Sequence, residues 1–136
     1  MKPNERTLTK LMADLQDEYN SLEKYRFQAE KVPHPVVKAK LEKLCEIERK
    51  HVQVLEKVLG LHMEVHVNSE KPAHQEGRSV HEMLAQDYED ERQAYLRYQR
   101  EYEETEDEEL KKLLKHLAQD ELAHMDLLKE IYRTLV

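Results

Sequence analysis

Apolar side chains return every three or four residues along nearly the whole chain, the spacing of helices with one inward face. Four such stripes are readable. The first carries Leu8, Leu11, Leu15, Leu22, Tyr25 and Ala29, and the second Val37, Leu41, Leu44, Leu55 and Val58. The third carries Val80, Leu84, Tyr95, Tyr98 and Tyr102, and the fourth Leu110, Leu114, Leu117, Leu128, Ile131 and Leu135. Val-Pro-His-Pro at 32–35 breaks the first helix and sets Pro35 at the start of the second, where a missing N–H costs least. Ser79 with Glu82, and Thr105 with Glu108, have capping-box spacing and predict the starts of the third and fourth helices. Residues 60–78 form the one long connection. At about 3.3 Å per residue it can run the length of a bundle as a crossover, or remain a loop between antiparallel neighbours.

Continuing each stripe at its own steps places polar residues where leucine is expected. Glu18 falls inside on the first helix, Glu48 and His51 on the second, Glu91 on the third, and Glu121 and His124 on the fourth. A buried carboxylate without compensation costs several kcal/mol, and neighbouring ones repel. No lysine or arginine falls on these stripe positions. Two divalent cations would balance four carboxylates, and oxygen with imidazole nitrogen suits iron or manganese. Glu48 with His51, and Glu121 with His124, are both Glu-x-x-His, a spacing that puts two ligands on one helix face.

The register carries more than either motif. Glu18 precedes Glu48 by 30 residues, as Glu91 precedes Glu121, and Tyr25 and Tyr98 each follow the first glutamate by seven. Asp14 and Asp17 recur as Asp87 and Asp90, and Leu41, Leu44 and Leu55 as Leu114, Leu117 and Leu128. The pattern predicts a duplicated helical hairpin. Folding each hairpin at its turn brings its ligand residues to one level, because antiparallel positions equidistant from a turn share a height.

Composition agrees with an all-α fold: 136 residues contain 2 Gly and 4 Pro, too few turn formers for a many-stranded sheet. One domain spanning 1–136 is expected. A net charge of −7 without a basic stripe argues against nucleic acid, and no run approaches the roughly 18 apolar residues of a membrane span. A single cysteine, Cys45, excludes an internal disulfide and any four-cysteine metal site, and it is expected as a small buried residue. With no apolar leader at the N-terminus, a cytoplasmic location is expected. His34, His62, His66, His74 and His81 are expected at exposed turns.

These residues resemble the ferritin-like di-iron carboxylate family of ferritins, bacterioferritins and rubrerythrins. The resemblance covers residues 8–135 and implies a four-helix bundle of two hairpins joined by a long crossover. It implies Glu18 and Glu91 as terminal or chelating ligands, Glu48 and Glu121 as bridges, and His51 and His124 as ligands of one metal each. Tyr25 and Tyr98 would hydrogen-bond ligand carboxylates, and Asp120 would orient the histidine of the other half, a position held by Ile47 in the second helix. The implied cofactor is two iron ions, with manganese as an alternative. The implied activity is an oxidoreductase reacting with dioxygen or hydrogen peroxide, of ferroxidase or peroxidase type, with Fe(II) and an unidentified electron donor as partners. Iron storage and a metal-free structural bundle are the competing readings. Three departures narrow the resemblance. Ala94 stands where rubrerythrins carry a further glutamate, Arg49 where bacterioferritins carry a haem methionine, and the cysteines of a rubredoxin domain are absent. The chain ends at Val136 soon after the fourth helix, so a small homo-oligomer is expected rather than a storage shell.

Overall fold

The computed structural model describes residues 4–68 and 79–135. It contains four α-helices: α1 (Glu5–Lys31), α2 (Pro35–Gly60), α3 (Val80–Glu104) and α4 (Glu108–Leu135). Among the described residues there is no strand. The chain divides into two compact units, Lys2–His74 and Gln75–Val136. Each is one helical hairpin, α1 packed on α2 in the first and α3 on α4 in the second.

In the first hairpin, Asn4 caps α1 by accepting from the Thr7 N–H at 2.8 Å. The helix stops at Val32, whose extended backbone precedes Pro33 as proline requires. His34 then caps α2, its Nδ1 accepting from the Val37 N–H at 3.4 Å, and Pro35 opens the helix. The core is the expected stripe pair: Leu11, Leu15, Tyr25, Val37, Leu41, Leu44 and Leu55 are at most 1% exposed. Leu59, rather than the half-buried Val58, closes the far end of α2. Beyond Gly60 the chain turns back along α1, where the Gln16 amide clamps Asn68 at both backbone groups, at 2.8 and 3.0 Å. The remainder of the expected crossover, residues 69–78, lies outside the described residues, and so does His74.

The second hairpin begins as the capping box predicts. The Ser79 hydroxyl accepts from the Glu82 N–H at 3.1 Å and lies 3.1 Å from the Glu82 carboxylate. The predicted Thr105–Glu108 box does not form. Asp107 caps α4 instead, its carboxylate accepting from the Leu110 N–H at 3.0 Å. Thr105 ends α3, its N–H reaching the Glu101 carbonyl at 3.1 Å, and its hydroxyl accepts from the Asp107 N–H at 3.4 Å. An ionised side chain two residues nearer α4 outcompetes the threonine hydroxyl for the helix's open N–H groups. Leu84, Tyr98, Leu114, Leu117, Leu128 and Ile131 form the buried face, joined by Met83, while Tyr95 and Tyr102 are half-buried.

Candidate metal centre

Each hairpin brings two glutamates and a histidine together in its interior. In the first, α1 supplies Glu18, and α2 supplies Glu48 and His51 one turn apart on its inner face. All three are 3% exposed or less. His51 Nδ1 stands 3.2 Å from Glu18 Oε2 and 3.9 Å from Glu48 Oε2. In the second, α3 supplies Glu91, and α4 supplies Glu121 and His124, again 3% exposed or less. His124 Nδ1 stands 3.4 Å from Glu91 Oε2 and 3.6 Å from Glu121 Oε2. Within each triad the three donor atoms lie within 4.8 Å of one another.

That spread is close to the about 3–4 Å between donors on one ion with bonds of about 2.1 Å. Carboxylate oxygens with one imidazole nitrogen form a donor set that fits iron or manganese, and zinc less selectively. In both triads Nδ1 is the histidine nitrogen turned to the carboxylates. Nε2 is therefore the nitrogen turned away from the carboxylates.

The residues around the triads repeat as well. Tyr25 and Tyr98 are fully buried. Asp14 and Asp87, one turn before Glu18 and Glu91, are also fully buried, which decides between the buried and exposed positions their spacing allowed. Beside each tyrosine lies a cation that the stripes missed. Buried Lys24 holds its ammonium 4.6 Å from the Tyr25 ring centre, and Arg97 its guanidinium 5.1 Å from that of Tyr98. Gln28 and Glu101, matched in the repeat, are buried one turn further on. The signal for all four was the duplication itself, since each pair occupies the same offset from its glutamate.

Asp120 is only half-buried and meets His116, one turn back on α4, at 3.3 Å. Cys45 is buried as expected, with its Sγ 3.7 Å from the Leu22 carbonyl, and burial raises its thiol pKa. Of the turn histidines, His34 is a helix cap, His62 is half-buried, His66 is exposed, and His81 packs edge-on against Tyr132. No helix among the described residues is long and apolar enough to cross a membrane.

Four helices in two like hairpins, each with a buried Glu/Glu/His triad that could hold a metal ion, define a helical bundle protein with a candidate carboxylate–histidine metal site. The rubrerythrin family model matches residues 10–132, and the chain belongs to that family. Its fold is thus of the all-α, ferritin-like class. Among solved structures, a hypothetical protein from Pyrococcus furiosus is similar, with 26% identity, a TM-score of 0.83, and coverage of 95% of this chain and 89% of that one. Comparison with curated proteins returns no significant match.

Proposed function

We propose that the two hairpins form one domain around a pair of iron ions and that the protein is an oxidoreductase acting on hydrogen peroxide or dioxygen. The observation that carries this reading is the pair of buried triads at matched positions in a rubrerythrin-family chain. Four glutamates and two histidines neutralise and chelate two divalent ions, with manganese as the alternative occupant. Glu18, Glu48, Glu91 and Glu121 would hold the ions through carboxylate oxygens, Glu48 and Glu121 being shared between them, and His51 and His124 would each supply one nitrogen. When bound, a ferrous pair supplies two electrons, the number that reduces peroxide to water.

The chain's own residues hold the site and keep it dry. Leu44, Leu55, Leu117 and Leu128 flank the ligands on α2 and α4 and limit entry of bulk water. The Tyr25 and Tyr98 hydroxyls donate to ligand carboxylates, fixing their orientation.

The test is oxidation of protein loaded with two equivalents of Fe(II) without oxygen. Loss of ferrous iron on mixing with peroxide, much faster than for free Fe(II) and faster than with dioxygen, is the result expected for a peroxidase. Faster reaction with dioxygen makes the protein a ferroxidase, with Fe(II) as substrate. Oxidation no faster than that of free Fe(II) overturns the proposal.

A further inference from the structure

The second hairpin carries a pocket that the proposed metal chemistry does not use. Its volume is about 330 Å³, within the range of small-molecule sites. Leu84 and Leu128 form an apolar floor, Tyr88 and Tyr132 aromatic walls, and Lys129 and Arg133 a cationic rim. The walls are braced: Tyr132 meets the His81 ring edge-on, with centroids 5.1 Å apart, and the Lys129 ammonium lies 5.3 Å from the centre of the Tyr88 ring.

Two features mark this as more than a fold in the surface. The first is charge. Among the described residues no acid lines the pocket, although acids outnumber Lys and Arg by 29 to 22 in the chain. Among the described residues neither Lys129 nor Arg133 is held in an ion pair. The second is divergence from the repeat. The same positions in the first hairpin hold Leu15 for Tyr88, Glu56 for Lys129, Leu59 for Tyr132 and Gly60 for Arg133. A hairpin of this kind packs without aromatic walls or a cationic rim, so neither is needed to fold it.

We propose that this pocket binds a small planar aromatic anion, its ring between Tyr88 and Tyr132 over the leucine floor and its acidic group at Lys129 and Arg133. Aromatic stacking and apolar contact hold the ring, and the two cations select the charge. The proposal goes beyond the metal reading and stands whether or not metal binds.

The test uses 8-anilinonaphthalene-1-sulfonate as the anionic probe and N-phenyl-1-naphthylamine as its neutral counterpart, on full-length protein with and without metal. Fluorescence titration is expected to give saturable binding of the sulfonate at about one site per chain and weaker binding of the neutral probe. Lys129→Glu with Arg133→Glu, a surface change, is expected to weaken sulfonate binding about tenfold or more and leave the neutral probe unaffected. Ala85→Trp, which fills the pocket from its rim, is expected to remove saturable binding of both probes. Circular dichroism and thermal melting confirm that each variant is folded. Equal affinity for the two probes, or sulfonate binding unchanged in the folded charge-swap variant, overturns the proposal. A drop in assembly size on gel filtration of Ala85→Trp also overturns it, because the face then belongs to a second copy.

Discussion

In the first hairpin His51 Nδ1 stands 3.2 Å from Glu18, and in the second His124 Nδ1 stands 3.4 Å from Glu91. Between the same elements the surroundings differ. Cys45 matches Ala118 in the repeat, Gln28 matches Glu101, Leu15 matches Tyr88, and the turn is Val-Pro-His in one and Thr-Glu-Asp in the other. The duplication has therefore held residue type where donor atoms must meet and released it where any well-packed or soluble side chain suffices. A pair of buried Glu/Glu/His triads costs each hairpin folding energy, and the proposed metal pair would offset that cost in both.

The largest effects should be the same in both hairpins. Leu44→Ala and Leu117→Ala, fully or almost fully buried at matched positions, should each cost about 2–5 kcal/mol in denaturant unfolding. A cost confined to one of them would break the equivalence. Next, Glu48→Leu with Glu121→Leu should stabilise the metal-free protein by about 1–4 kcal/mol, because two buried acids give way to apolar packing. The same change should abolish metal binding. Destabilisation of the metal-free form would mean that the acids are structural.

Two smaller effects should separate the hairpins. Asp107→Ala should cost about 1 kcal/mol through the lost α4 cap, more than His34→Ala, since the His34 contact is long at 3.4 Å and Pro35 still opens α2. Equal costs in thermal melts would deny that difference. Cys45 gives the first hairpin an alkaline sensitivity that Ala118 cannot give the second. Burial raises its thiol pKa above the ordinary 9.0, so its contribution to stability is complete below that pH. It is lost as pH rises from there through the folded value, because the unfolded thiol ionises first. Cys45→Ala should therefore lose less stability than the parent between pH 8 and pH 10, and parallel losses would refute the assignment.

Much of this was legible in the sequence because both signals are periodic. Helix spacing located the four helices, and the glutamates and histidines stood out by interrupting leucine stripes. What escaped was of two kinds. Lys24, Gln28 and Glu101 lie beside the stripes, and a polar residue there reads as solvated unless its partner surface is known. The α4 cap escaped because Thr105 and Asp107 both present cap chemistry, and the choice rests on where the α3 backbone ends. The six candidate ligand residues were legible as interior positions because the stripes that buried them contradicted their chemistry.

The most direct test of the central claim, that the two triads serve one dinuclear centre, is an anaerobic Fe(II) titration of metal-stripped protein. A break near two equivalents per chain is expected in the parent, and no break at two when Glu18 and His51 are both changed to alanine. Absence of a break in the parent, or a break at two that survives the loss of Glu18 and His51, would contradict it.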